Sequence, residues 1–377
     1  MLDRSNDKRK IQRQRERVYR GLEEAWERSR RGEKGTALVR ADLDAARFIV
    51  FSDQHKGVRN RADDFRQSER AYNSALAYYF ELGSTLIVLG DSEELWKEHP
   101  GQVLKAYRRT LNLEADFHRA GRYHRIWGNH DDQWSLPLVA RWYLEPIFGP
   151  IEVLESLTIE LTREGEPQGS IFLLHGHQGT SNSDRFTRIS RIPVRYLWRP
   201  LQRLTGYSLN TPAKDWELRE GHNLAMGSWA ADQPGAFILI AGHTHRPVFK
   251  SNLLAAQIRD RLEEARRQLA ARPENAESRS RVAQLAAQLE WTLAQDLQDP
   301  GGGAVRGPDR PSYFNTGCCC FLDGDITGIE IAEGEIRLVR WPDRDDRPVP
   351  EVLASVEIRT LLRECATPSL RTAGSLP

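Results

Sequence analysis

Cysteine is scarce in this chain, and its placement argues against a disulfide framework and a zinc finger. Only four occur among 377 residues, three of them consecutive at Cys318, Cys319 and Cys320 and one distant at Cys365. Neighbouring cysteines pair poorly with one another and the spacing matches no zinc-finger pattern, so neither a disulfide framework nor a structural zinc module is expected. Reduced thiols, partly buried in a strand of a cytosolic protein, are expected instead. Long apolar runs are missing as well. Stretches such as 48–51 and 236–241 are too short to span a bilayer. The opening Met-Leu-Asp-Arg-Ser-Asn-Asp-Lys-Arg-Lys lacks the apolar core of a signal peptide. A cytoplasmic protein is expected, with peripheral contact at a membrane left open. Charge of one sign is not in excess either: 54 Lys and Arg stand against 53 Asp and Glu. Attraction to an anionic partner must therefore be local. Hydrophobic residues make up 39% of the chain, which is enough for a folded core.

What is present changes character along the chain. Residues 1–40 read as a basic helical N-terminal extension, in which Val18, Leu22 and Trp26 recur at four-residue steps and make one narrow apolar stripe on a largely solvated helix. A nucleic-acid-binding arm is the alternative for this segment. The catalytic domain is expected over 41–345. Five short runs rich in Ile, Val, Leu and Phe (46–52, 85–89, 123–127, 170–174 and 236–241) have the length of buried strands. Segments 66–82 and 95–120, which separate the first three, carry helical periodicity. Strand and helix in alternation imply parallel βαβ units and an α/β fold. Residues 252–299 differ: Leu254, Ile258, Leu262, Ala265 and Leu269, then Val282, Leu285, Leu289, Leu293 and Leu297, fall at helical spacing on either side of Arg272-Pro273. This predicts a helical hairpin inserted in the domain and closed by the glycines at 301–303. Runs at 313–322, 326–331 and 336–341 are expected to finish the sheet as a meander, and 346–377 reads as a C-terminal tail with little core.

Each of the five buried runs ends in potential metal ligands. They are Asp53-Gln54-His55; Gly90-Asp91 followed by Glu93 and Glu94; Gly128-Asn129-His130-Asp131; His175-Gly176-His177; and Gly242-His243-Thr244-His245. One such cluster is an ordinary polar loop, but six of the ten histidines lie in these five places. In open α/β sheets the functional crevice lies at the carboxyl ends of the strands, so all five should converge. Carboxylates mixed with imidazoles suit a pair of hard-to-borderline cations. In two-metal hydrolytic sites the ions lie roughly 3.5–4 Å apart, polarise phosphoryl oxygens and turn a bound water into hydroxide near neutral pH.

The ordered set Asp-x-His, Gly-Asp-x-x-Glu, Gly-Asn-His-Asp, His-Gly-His and Gly-His-Thr-His resembles the calcineurin-like metallophosphoesterase family. Tyr313-Phe314-Asn315-Thr316-Gly317-Cys318 is similar to that family's closing strand. The resemblance spans about 46–342. It implies two packed mixed β-sheets flanked by helices, here with the inserted hairpin. It also implies two divalent ions, Mn, Fe or Zn, and hydrolysis of a phosphomonoester or phosphodiester by attack of metal-bound hydroxide. Carried over position by position, Asp53, His55 and His245 would hold one ion, Asn129, His175 and His243 the other, and Asp91 would bridge them. His130 would be the catalytic general acid, oriented by Glu94. His177 is not at a ligand position of the motif, and His99, His118, His124 and His222 are read as surface or core histidines.

For the substrate, Arg185, Arg188, Arg191, Arg195, Arg199 and Arg203 occur without an intervening acid at spacings that align them on one helical face. A solvated basic helix is one reading. The other is a surface for the substrate phosphate, in which Arg188, Arg195 and Arg199 take part, or for an anionic lipid or nucleic acid. Some relatives cleave the pyrophosphate of UDP-diacylglucosamine, and 90–96 and 242–247 look similar to theirs, although those enzymes carry Arg where this chain has His130. Protein Ser/Thr phosphatases fit less well, since their Asp-Arg-Gly and Gly-Asn-His-Glu are absent. A non-catalytic scaffold on the same fold is the remaining alternative, and a dinuclear metal content would exclude it.

Overall fold

Apolar residues at alternate strand positions build two sheets that are covered on both faces. The computed structural model describes residues 2–179, 212–295, 308, 310–344 and 349–367. In chain order the first half contains α1 (Leu2–Arg30), β1 (Thr36–Asp42), β2 (Phe48–Phe51), α2 (Glu69–Glu81), β3 (Thr85–Leu89), α3 (Pro100–Ala106), α4 (Arg108–Arg119), β4 (Tyr123–Ile126), α5 (Pro137–Phe148), β5 (Val153–Leu154), β6 (Ser156–Arg163) and β7 (Glu166–Leu174). The second half contains α6 (Pro212–Asp232), β8 (Phe237–Ala241), β9 (Val248–Phe249), β10 (Asn252–Leu253), α7 (Leu254–Ala271), α8 (Ala276–Gln295), β11 (Tyr313–Asn315), β12 (Ile326–Ala332), β13 (Glu335–Trp341), β14 (Glu351–Glu357) and α9 (Ile358–Ala366).

One sheet has the order β14-β13-β12-β2-β3-β4-β5 and the other β1-β6-β7-β8-β11-β9-β10. Strands β2, β3, β4 and β5 are parallel, as are β7, β8 and β11. The two-residue side-chain period sorts each strand between layers. Phe48 and Val50 join Leu157, Ile159, Ile171, Leu173, Ile238 and Ile240 in the core between the sheets. Ile49 and Phe51 point the other way, to Tyr72, Leu76 and Leu111 of α2 and α4. Phe172, Leu174, Phe237 and Leu239 pack under Val18, Leu22, Met226 and Trp229 of α1 and α6. The result is the pair of mixed sheets flanked by helices that the motifs implied.

Four expectations change in detail. The N-terminal helix forms, but it is no solvated extension: Val18, Leu22 and Ala25 are fully buried, and Trp26 packs edge-on against Phe172 and Phe237 at 4.9 and 5.1 Å. A narrow stripe suffices because it closes a sheet face that would otherwise meet water. Segment 95–120 is two helices, interrupted at Tyr107, whose hydroxyl reaches inward to Asp63 (2.7 Å). The meander is divided between the sheets, with β11 parallel to β8 in one and β12 to β14 antiparallel in the other. Much of the presumed tail is structured: β14 lines the sheet edge, and Leu353, Ile358, Leu361 and Cys365 are buried.

The hairpin appears as α7 and α8, with the break at Arg272-Pro273. Leu254, Ile258, Leu262 and Ala265 of α7 belong to the inter-sheet core, joined by Leu285 of α8, so the insertion is bonded to the fold through one face. No helix among the described residues is long and apolar enough to cross a membrane. The asymmetry of the hairpin can be measured. Ile258→Ala removes a fully buried side chain and should lower unfolding free energy by about 2–5 kcal/mol. Leu293→Ala, at a position 42% exposed, should stay within about 1 kcal/mol. Urea melts of the two variants decide this; equal losses would mean that α8 is as embedded as α7.

Candidate metal centre

The five ligand-bearing loops continue the strand ladders past the strand ends and so lock together. Asp53 N–H donates to Gly90 O (3.1 Å), His55 N–H to Asp91 O (2.9 Å), Gly242 N–H to His175 O (3.0 Å) and Leu95 N–H to His130 O (3.1 Å). Asp53, His55, Asp91, His243 and His245 adopt left-handed backbone, with φ between 50° and 70°. This is an uncommon state for residues with a side chain, and the surrounding structure must hold it. Two glycines leave room that no other residue would. A Cβ on Gly128 would strike the Asp91 carboxylate, and one on Gly242 would strike the side chains of Ser52 and Asp53.

The side chains then converge. Asp53 Oδ1 lies 3.2 Å from His245 Nε2 and 3.8 Å from His55 Nε2, and those two nitrogens are 3.0 Å apart. Asp91 Oδ2 lies 3.1 Å from His175 Nε2 and 3.9 Å from His55 Nε2. Asp53-His55-His245, Asp91-His175-His243 and His55-Asp91-His130 each bring one donor atom per residue to within 4.8 Å of the others. Asp53 Oδ1, Asn129 Oδ1 and His175 Nε2 are buried and have no hydrogen-bond partner. Buried polar atoms are seldom left so. Oxygen and imidazole donors meeting at adjoining points are the set that a pair of divalent cations takes, so the residues fit such ions.

Neighbours set the orientation of these groups. His175 Nδ1–H donates to Leu89 O (2.8 Å), which leaves Nε2 as the nitrogen facing Asp91. Asp91 Oδ1 accepts from His130 N–H (2.8 Å), and Asp53 Oδ2 accepts from His243 N–H (2.9 Å). Burial alone would lift both carboxyls. The imidazoles of His245 and His175 hold Asp53 well below the usual carboxylate range, and those of His175 and His130 do the same for Asp91. Conversely, Asp91 and Asp53 outweigh burial and raise His175 to about 9. His130 Nδ1–H donates to Glu94 Oε2 (2.9 Å), and its ring stacks on Trp96 at 4.0 Å.

Beneath the loops lies a buried ionic quartet. Lys56 Nζ reaches Glu114 (2.9 Å), Glu93 (3.7 Å) and Ser92 Oγ (2.9 Å), while Arg125 pairs with Glu93 and with Glu114 (3.4 Å). Tyr123 and Trp134 donate to Glu114 and Glu93 at 2.9 and 2.8 Å. Asp131 joins two of the loops by accepting from Ser92 N–H (2.9 Å) and Gly128 N–H (2.6 Å).

All seven ligand candidates, with His130 and Glu94, therefore lie at the strand ends. Arg188, Arg195 and Arg199 lie outside the described residues. His177 is buried against Trp127 and is pushed down to about 3, by burial first and then by His175. Two contributors were not singled out from sequence. His222 is buried, donates to Gly176 O (2.6 Å) and sits 5.2 Å from the His243 ring; a lone histidine in a helix carries no signal of this. Arg125 did carry one, as a charge inside an apolar strand.

Comparison with curated proteins finds no match for this chain. Comparison with protein families matches residues 46–247, more than half of the 377, to the calcineurin-like phosphoesterases. The matched span holds every motif at the strand ends, and on that ground the chain belongs to the calcineurin-like phosphoesterase family.

Proposed function

We propose that this chain hydrolyses phosphate esters at a centre of two divalent ions, of manganese, iron or zinc. Asp53, His55 and His245 hold one ion, Asn129, His175 and His243 the other, and Asp91 lies between them. The observation that carries the reading is the convergence of carboxylate and imidazole donors from five separate strand ends, with Asp53 Oδ1, Asn129 Oδ1 and His175 Nε2 buried there without a hydrogen-bond partner. Ions bound there would polarise the phosphoryl oxygens and acidify a water.

The chain's own residues supply the rest. Leu89 O fixes the His175 tautomer, and the left-handed backbone at 53, 55 and 245 accompanies the meeting of those three side chains in one group, with His243 in the other. The leaving oxygen of an alkyl ester needs a proton. His130 is the donor in this reading: Glu94 engages Nδ1, Trp96 restrains the ring, and Nε2 remains for the leaving group. Glu94 is a positioning residue. Arg188, Arg195 and Arg199 contribute charge for the anionic substrate.

Three measurements test this. Demetallation by chelation should abolish hydrolysis, and Mn²⁺ should restore it; full activity in metal-free protein overturns the reading, and a native protein without two equivalents of metal favours a scaffold. His130→Asn should keep both ions and lose about 10²–10⁴ in rate on alkyl phosphates, but far less on nitrophenyl esters, whose leaving group needs little protonation. Equal losses on both would make His130 a positioning residue for the phosphoryl group. Replacing Arg188, Arg195 and Arg199 together by Gln should raise KM with little change in kcat. Screening phosphomonoesters, phosphodiesters, nucleotides and nucleoside-diphosphate lipids identifies which substrate to use, and an unchanged KM removes the arginines from the site.

A further inference from the structure

The three consecutive cysteines do not share one environment. Past β11 the chain turns at Gly317 (φ 78°) and passes beside the strand-end cluster, tied by Thr316 N–H to Ala241 O (3.0 Å), Cys319 N–H to Asp53 O (3.3 Å) and Thr327 N–H to Cys318 O (3.0 Å). Cys319 enters the core between sheet and helices, where its sulfur lies 3.8 Å from Thr327 O. Cys318 and Cys320 turn to His245. Their two sulfurs and a ring nitrogen of His245 lie within 4.8 Å of one another, and Cys320 Sγ is 3.9 Å from His245 Nδ1.

The two nitrogens of the His245 ring thus face different partners. Nε2 addresses Asp53 and His55, while Nδ1 addresses the thiols. Two sulfurs and one imidazole nitrogen make a soft donor set, unlike the carboxylates and imidazoles next to it. Around a tetrahedral zinc ion, with Zn–S about 2.3 Å and Zn–N about 2.0–2.1 Å, ligand atoms are roughly 3.3–3.8 Å apart, so small side-chain movements close the group around an ion. Cys320 is half-buried and the His245 side chain is 29% exposed, which leaves an approach from solvent and an open fourth position.

We propose that Cys318, Cys320 and His245 Nδ1 form a separate site for one thiophilic d¹⁰ cation, zinc in the first place, joined to the phosphoesterase centre through the shared His245 ring. Binding exchanges the two thiol protons, and any proton on Nδ1, for the metal bonds, and the protons pass to solvent. Occupancy of this site and the position of His245 are thereby coupled.

The test uses the full chain with its strand-end metals in place and Cd²⁺ as the probe, read by the ultraviolet thiolate-to-cadmium charge-transfer band. One equivalent should saturate the band, and Zn²⁺ should displace it. Cys320→Ser should weaken it and Cys318→Ser/Cys320→Ser should abolish it, whereas Cys319→Ser and Cys365→Ser should leave it intact. Absence of the band in the native protein overturns the proposal, as does a band that survives the double replacement. Should the double variant fail to fold, Cys320→Ser at its half-buried position decides, because an undiminished band there has the same force. Phosphoesterase activity is not the readout, so the outcome stands apart from that reading.

Discussion

Two carboxylates taken almost wholly out of water govern this molecule. Asp53 and Asp91 are 0% and 1% exposed. Removing an ion of this kind from water costs several kcal/mol unless opposite charge and hydrogen bonds replace the lost solvation. Positive charge nearby is supplied by imidazoles: His245, His175 and His55 surround Asp53, and His175, His130 and His55 surround Asp91. Backbone N–H groups of His243 and His130 take the carboxylate oxygens that face away from the histidines. The same arrangement that makes these carboxylates electrostatically tolerable also suits cations, since imidazole nitrogens and carboxylate oxygens face one another there. Folding and metal affinity are consequently linked, because any ion that binds the native arrangement and not the unfolded chain adds to stability by mass action.

The loops carrying these groups need a rigid floor, and a floor of hydrocarbon alone would not position polar backbone. Lys56, Glu93, Glu114 and Arg125 supply one, two cations against two anions in the described interior. Buried ion pairs are weak evidence for stability, but breaking one by removing a partner is strongly unfavourable. Their value here is geometric. Lys56 follows the ligand candidate His55, Glu93 stands between Asp91 and Glu94, and Arg125 precedes the Asn129 loop in β4, so three strand-end loops are referred to one charge network. Glu114, from α4, closes it.

The parts of this architecture legible in the sequence were those with a local signature. β2, β3 and β8 are short, almost wholly apolar runs, and the polar residues right after them are conspicuous because the runs are so apolar. The hairpin was legible from its 3.6-residue period and Pro273. What could not be read depends on partners distant in the chain. β6 is a strand because it pairs with β1 on one side and β7 on the other. α1 is buried because Phe172 and Phe237 lie where Trp26 can reach them. In β14 and α9, charged residues interleave with the few that meet the core, which hides an element that closes a sheet edge. Within the site, residue types were legible and orientation was not: nothing in Asp-x-His or Gly-His-Thr-His announces that Asp53, His55, His243 and His245 sit at positive φ, or that alternate members of Cys318-Cys319-Cys320 face opposite environments.

The metal centre is finally a property of the sandwich as a whole. Asp53, His55, Asp91 and Asn129 follow strands of one sheet, and His175, His243 and His245 follow strands of the other. No contiguous segment contains a complete set. Stacked sheets pack about 10 Å apart, a distance set by the side chains between them. In this chain those are Phe48, Val50, Ile87 and Leu89 against Ile171, Leu173, Ile238 and Ile240. Interiors are packed too densely to deform smoothly, so the volume of these eight side chains helps set the separation between the Asp91 carboxylate and the His175 ring, 3.1 Å in this structure. An apolar residue between the sheets thereby acts on the geometry of the strand-end cluster, through the spacing of the sheets.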